Sequence, residues 1–271
     1  MCHACVMESV KARMLSRRQL FRGTAAMGAA AAGLAATGTP ALAAGHGSAV
    51  DMTHAYGPDF PTYFGEPGIA LSKEFDFADA GFNLYELTVN EHTGTHIDAP
   101  LHFSADGASV DEIPVGDLVV PLCVIDIAAK AAEDPDAQVT PEDLRAWIDA
   151  NGDIPDRACV AMHSGWAEKV ATEAYRGADA EGTMHFPGFH PEATAMLLET
   201  GAAAMAVDTL SLDHGPSADF ATHYAWLPAG RYGIENLAGL GDVPAAGATL
   251  VVGAPTHRGG TGGPARVIAL V

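Results

Sequence analysis

Residues 119–127 form a nearly continuous apolar run, the pattern of a strand buried on both faces. Residues 158–162, 203–207, 249–253 and 266–270 repeat this character in shorter form and predict four more strands. Two helical stretches lie among them. Thr140 is an N-cap candidate, Pro141 occupies the first helical position and Asp143 the third, so a helix begins there and stops near Asn151-Gly152. A second helix is expected over 191–200, with Gly201 as its C-terminal signal. Residues 82–90 alternate like a strand. Residues 45–80 carry Gly, Pro and aromatics without a clear period and read as loops and short strands. Strands alternating with helices in the second half predict an α/β fold, with no internal repeat and no long linker.

The first 43 residues stand apart from this pattern. Ser16-Arg17-Arg18-Gln19-Leu20-Phe21 is a twin-arginine motif, an Ala/Gly-rich apolar run follows over 23–38, and Ala41-Leu42-Ala43 offers a small-x-small cleavage site. The run is short and small-residued for a membrane span. The expectation is export by the twin-arginine machinery to the periplasm or beyond, cleavage near Ala43, and a single domain over 44–271. Cys2 and Cys5 then belong to a discarded leader, and their spacing is not read as a redox or zinc site. Cys123 and Cys159 fall in predicted buried strands and are expected to be free thiols. The full chain carries a formal charge of −20; loss of residues 1–43 leaves 9 basic against 33 acidic residues, or −24. Such a surface repels polyphosphate, which argues against nucleic acid as a partner.

The chemistry concentrates in His92-Thr93-Gly94-Thr95-His96-Ile97-Asp98-Ala99-Pro100-Leu101-His102-Phe103. His92, His96, Asp98 and His102 are spaced by even numbers, so on an extended strand they share one face. Imidazoles and a carboxylate on one face suit a divalent transition metal. A straight strand would hold positions 92 and 98 about 20 Å apart, so a single ion requires a bend, and Gly94 is where a bend costs least. The absence of cysteine and an open coordination position favour a catalytic over a structural site. Asp208, Ser211, Asp213 and His214 occupy a post-strand loop, as orienting partners or as turn residues. Ser164 lacks the Gly-x-Ser-x-Gly setting of a nucleophile. Gly259-Gly260-Thr261-Gly262-Gly263 lacks the lysine of a phosphate loop and reads as a flexible turn near the site.

The dodecapeptide closely resembles the HxGTHxDxPxHF signature of the metal-dependent cyclase-like hydrolases, which include bacterial kynurenine formamidase and isatin hydrolase. The resemblance extends through Asp51-Met52-Thr53-His54, the segment 207–213, and His223 with Glu235, and so covers about residues 50–271. It implies a swivelling β/β/α architecture with a mixed, barrel-like sheet, assembled as a homodimer or homotetramer. It further implies His92, His96 and Asp98 as metal ligands, with Asp98 bridging to a second ion held by His223 and Glu235 in the two-metal members. The ion would be Zn²⁺ or Mn²⁺, one or two per chain. His102 would be the catalytic acid/base. Tyr63 falls where the formamidases place a tryptophan, and Tyr63, Phe64 and Phe103 are candidates for apolar walls around an aromatic small molecule. The implied reaction is hydrolysis of a non-peptide amide, an aryl formamide or a lactam, by metal-activated water. Two other readings stand beside it: a lactonase-type hydrolase of a non-aromatic substrate, and a periplasmic metal- or ligand-binding protein without turnover.

Overall fold

The computed structural model describes residues 47–271; the twin-arginine segment, the cleavage site at Ala43, Cys2 and Cys5 lie outside the described residues. The strands are β1 (Ala49–Asp51), β2 (Ile69–Phe75), β3 (Leu84–Val89), β4 (His96–Asp98), β5 (Val119–Asp126), β6 (Gln138–Val139), β7 (Cys159–His163), β8 (Gly188–Phe189), β9 (Ala204–Val207), β10 (Tyr232–Glu235), β11 (Ala248–Gly253), β12 (Gly262–Pro264) and β13 (Arg266–Leu270). The helices are α1 (Phe77–Ala80), α2 (Ala128–Glu133), α3 (Pro141–Asn151), α4 (Pro191–Leu198) and α5 (Ala221–Trp226), with short 3₁₀ turns between. Two compact units result: residues 47–70 together with 88–271, and residues 71–87. Among the described residues no helix is long and apolar enough to cross a membrane.

Nine strands form one mixed sheet in the order β1-β13-β11-β5-β7-β9-β10-β4-β12. Strands β5, β7, β9 and β10 run parallel at its centre, and the flanking strands pair antiparallel. Connectivity forces this sheet to curl. Strand β12 ends at Pro264 on one edge and β13 starts at Arg266 near the other, with Ala265 alone between them. Two peptide steps reach about 7 Å, whereas the seven strand spacings separating β13 from β12 would measure about 33 Å if flat. The edges therefore meet. Ala265 N–H donates to the Thr95 carbonyl (2.9 Å) beside β4, and Met52 N–H donates to the Val267 carbonyl (2.9 Å).

The central strands are apolar throughout because both faces are covered. In β5, Val120, Leu122 and Val124 point into the core inside the curl, with Ile97, Ile234, Leu250 and Val267. Cys123 and Ile125 point to the opposite face, where Leu144, Trp147, Leu197 and Trp226 from the helices seal them. Helix α3 opens as its sequence predicts: the Asp143 carboxylate accepts from Thr140 N–H (2.7 Å), and Asp143 N–H donates to the Thr140 hydroxyl (3.4 Å). In α4 the His190 ring accepts from Glu192 N–H (3.2 Å) and acts as the cap.

Two expectations need correction. The strand through the His/Asp motif is short: β4 covers His96–Asp98, and Pro100–Phe103 is a 3₁₀ helix, because Pro100 cannot continue the ladder and starts a turn instead. The alternating segment 82–90 is a strand, as its pattern predicts, but it does not join the main sheet. Its strand, β3, pairs with β2 in a separate two-stranded sheet, and Leu84, Tyr85 and Leu87 are exposed. Nor is the glycine run all turn: Gly262–Pro264 is an edge strand paired with β4.

Cys123 and Cys159 are free and buried, and burial pushes the Cys123 thiol up to about 12 and that of Cys159 higher still. Iodoacetamide followed by peptide mapping is expected to leave both unlabelled in native buffer at neutral pH and to label both in guanidinium. Rapid native labelling of either would contradict this packing.

Candidate active site

Gly94 makes the bend. Its φ of +67° lies in the left-handed region, and a Cβ there would stand 2.8 Å from the Tyr56 ring, so no other residue fits without rearrangement. The bend folds His92 back over β4. His92 Nδ1 reaches Asp98 Oδ1 at 2.7 Å, and His96 Nε2 lies 3.3 Å from the same oxygen. Strand β10 lies antiparallel to β4 with Glu235 directly across from His96, which puts Glu235 Oε2 3.4 Å from His96 Nε2. His223 arrives from α5, its Nε2 3.2 Å from Glu235 Oε1 and 3.6 Å from Asp98 Oδ2. Two trios result, His92/His96/Asp98 and Asp98/His223/Glu235, each with ligand atoms within 4.8 Å of one another. Asp98 belongs to both.

The imidazoles are held from behind. His96 Nδ1–H donates to the Gly94 carbonyl (2.9 Å), leaving Nε2 to face the carboxylates. Asp213 accepts from His223 Nδ1 (2.6 Å), and its carboxylate also caps α5, accepting from Thr222 N–H (2.8 Å) and His223 N–H (3.2 Å). Asp213 is thus an orienting partner. Asp208 braces the fold instead: it accepts from the Ser164 hydroxyl (2.5 Å) and from Ser164 and Trp166 N–H (3.0 and 3.2 Å). Ser164, so engaged, is no nucleophile.

The electrostatics are one-sided. Asp98 is fully buried, and its ion-pair partners are all histidines. Burial raises its pKa, yet the neighbouring imidazoles of His223, His92 and His96 hold the carboxyl well below the ordinary range. Burial likewise opposes a charged His96, but Asp98 and Glu235 outweigh it and push the imidazole up to about 10. His223 is driven up in the same way, chiefly by Asp213, then Asp98 and Glu235. Such a pocket demands positive charge.

His102 is close but distinct. The 3₁₀ turn, not a continuing strand, brings it back, and its ring stacks on His92 (centroids 3.9 Å, 23°). It belongs to neither trio. Burial pushes it down to about 4, with Asp98 opposing, so its imidazole is neutral at physiological pH.

A cavity of about 400 Å³ opens above the trios. Tyr63, Phe64 and Phe103 all line it, as their positions in the sequence suggested, although Phe64 stands 83 % exposed at the rim. Phe220 completes the wall and was not legible in the sequence. Its ring lies 5.8 Å from Tyr63, 5.7 Å from Phe103 and 5.8 Å from His223. Its φ of +50°, uncommon for a bulky residue, marks strain at the site's border. No pattern of residue types announces such a conformation.

The described residues thus join a curled mixed sheet to two His/carboxylate trios that could hold a metal ion, at the base of an aromatic-walled cleft. Residues 50–214 match the profile of the Cyclase family ("Putative cyclase"). The chain is 30% identical over 249 residues to isatin hydrolase of Roseibium aggregatum, covering 85% of this chain and 94% of that one. Over 192 residues it is 28% identical to kynurenine formamidase of Salinibacter ruber, covering 70% of this chain and 81% of the relative. Isatin hydrolase A from Labrenzia aggregata, solved with benzyl benzoate bound, superposes with a TM-score of 0.78 at 35% identity over 83% of this chain and 93% of that one. The protein belongs to the cyclase family of hydrolases.

Since Asp98 is common to both trios, Asp98→Ala is expected to abolish binding of every equivalent of zinc that wild type takes up, measured by elemental analysis after dialysis. His223→Ala is expected to cost at most one equivalent. Retention of full metal by Asp98→Ala would contradict the shared role.

Proposed function

We propose that this protein is a divalent-metal-dependent hydrolase of an aromatic non-peptide amide, an aryl formamide or a lactam of the isatin kind. One observation carries the reading: an aromatic-walled cavity whose floor holds two convergent ligand trios and a neutral histidine. The names of the relatives, isatin hydrolase and kynurenine formamidase, support the substrate class.

The residues fit a metal. His96 Nε2 and Asp98 Oδ2 are buried and lack a hydrogen-bond partner, and both point into the cluster. Burying such groups unpaired costs several kcal/mol each, and a cation removes the penalty. His92, His96 and Asp98 would hold one ion, and Asp98, His223 and Glu235 a second. Imidazole and carboxylate donors without thiolate suit Zn²⁺ or Mn²⁺. When bound, the ion supplies a Lewis acid for the carbonyl and lowers the pKa of water toward about 7.

The chain's own groups do the rest. Tyr63, Phe103 and Phe220 grip an aromatic ring and exclude water beside it. Burial, followed by the carboxylates of Glu235 and Asp213, holds the Tyr63 phenol above its usual pKa, so it stays neutral and compatible with an apolar ring. The neutral His102 imidazole takes a proton from the attacking water and returns it to the leaving nitrogen as the C–N bond breaks. For a lactam the ring opens and the nitrogen remains attached to the product; for a formamide the amine departs.

Purified protein supplied with Zn²⁺ or Mn²⁺ is expected to turn over members of a panel of aryl formamides and isatin-type lactams faster than alkyl lactones. His102→Asn should lower kcat by at least about 100-fold with metal content unchanged. Undiminished turnover in that variant would move the proton-transfer role elsewhere, and inactivity of metal-loaded wild type on the whole panel would overturn the reading.

The twin-arginine segment supports a periplasmic or secreted place of action. Replacing Arg17 and Arg18 by lysine is expected to strand the precursor in the cytoplasm, as read by fractionation and immunoblot; normal export would contradict it.

A further inference from the structure

Among the five candidate ligands, His92 is the least secured. It precedes β4 in the Gly94 bend, and its side chain is 23% exposed, against 3% for His96 and His223. What faces its outer nitrogen is the glycine run. Thr261 Oγ1 lies 3.0 Å from His92 Nε2 and donates to Glu91 Oε2 at 2.5 Å, while Thr261 N–H donates to the same oxygen at 3.1 Å. The backbone of this strap is fixed on both sides: Ala99 N–H donates to the Thr261 carbonyl (2.8 Å), and Val110 N–H to that of Gly260 (2.9 Å).

The glycines flanking Thr261 have a reason in this contact. A Cβ on Gly262 would sit 2.8 Å from His92 Cε1 and 2.3 Å from the Ile97 carbonyl oxygen. One on Gly260 would sit 2.7 Å from Glu91 Oε1 and 2.2 Å from His257 Nε2, which itself lies 2.6 Å from that carboxylate. Glycine at both flanking positions lets the Thr261 hydroxyl approach the imidazole from behind while the strap stays paired with β4.

We infer that Glu91 and Thr261 are positioning residues that fix the tautomer of His92 in the metal-loaded protein, holding the proton on Nε2 so that the Nδ1 lone pair is free for an ion shared with Asp98. A hydroxyl has one proton, and an ionised carboxylate has only lone pairs. Glu91 therefore takes the Thr261 proton, and the hydroxyl oxygen has only a lone pair left for His92 Nε2–H. His96 and His223 are set the opposite way, each bonded through Nδ1 and presenting Nε2. Within the first trio the two imidazoles thus present different nitrogens, Nδ1 of His92 and Nε2 of His96, and the odd one is set by the strap. The inference rests on the metal reading above and says which residues tune it.

Zinc is the probe, and two readouts avoid turnover. Affinity is measured on the full chain by competition with a chromophoric chelator. The His92 tautomer is read in the zinc-loaded, ¹⁵N-labelled protein by two-bond ¹H–¹⁵N correlation. Thr261→Val keeps the volume but removes the acceptor, and is expected to weaken zinc binding 10–100-fold, with Thr261→Ser restoring it. Glu91→Ala removes the acceptor of the Thr261 proton, frees that hydroxyl to donate to His92 Nε2, and should move the His92 proton to Nδ1 with a similar loss. Wild-type affinity in Thr261→Val, alongside lost binding in Asp98→Ala, would overturn this inference and leave the metal reading intact. Equal zinc binding by wild type and Asp98→Ala would overturn both. Should Thr261→Val fail to fold, the wild-type spectrum decides: a proton on His92 Nδ1 in the zinc-loaded protein refutes the assignment.

Discussion

Asp98 has no exposed surface and, among the described residues, no lysine or arginine partner; three imidazoles and, beyond them, a second buried carboxylate surround it. Taking an ionised carboxylate out of water costs several kcal/mol unless positive charge goes with it. Much of the architecture can be understood as the way this chain assembles that charge. The curl brings the edge formed by β4 and β12 round to β13, and β10, beside the parallel centre, delivers Glu235 across from His96. Asp213 caps a helix of only six residues so that His223 can point inward. The Gly94 bend supplies the last imidazole. A divalent cation at the focus would balance the arrangement and, on the reading proposed above, the same cation would activate the chemistry.

Ligands that neutralise the ion leave the rest of the cleft free to be apolar. Tyr63, Phe103 and Phe220 come from three separate segments, and their rings meet at 5.7–5.8 Å through Phe220. On the proposed reading, recognition and bond cleavage are divided between two surfaces of a single cavity. His102 sits at their junction, stacked on His92 and edge-on to Phe103 (4.7 Å). Its neutrality follows from the same burial that makes the aromatic wall effective.

Much of this was legible from residue types. The even spacing of His92, His96 and Asp98 pointed to a shared face, and Gly94 marked the bend such a face requires. The helix starts at Thr140 and the apolar runs of β5 and β7 were readable because capping and two-sided burial leave local signatures. What escaped depended on contacts distant in sequence. Parity placed His102 correctly beside His92 but for the wrong reason, since the turn at Pro100 rather than an extended strand returns it. The alternation of 82–90 marks a strand but does not say whether anything covers it. Thr261 touches His92 across 169 residues, so a glycine run that looks like punctuation acts as a close-packed strap. Phe220 depends on a backbone angle that composition does not encode.

The central claim is that the buried carboxylates and imidazoles form a metal-dependent hydrolytic centre. Its most direct test is to strip the protein of divalent ions with a chelator, remove the chelator, and follow hydrolysis of an isatin-type lactam while Zn²⁺ or Mn²⁺ is returned in substoichiometric steps. The account predicts no turnover at the start and a rise that levels off at one or two equivalents per chain. Full activity in the ion-free protein would contradict it.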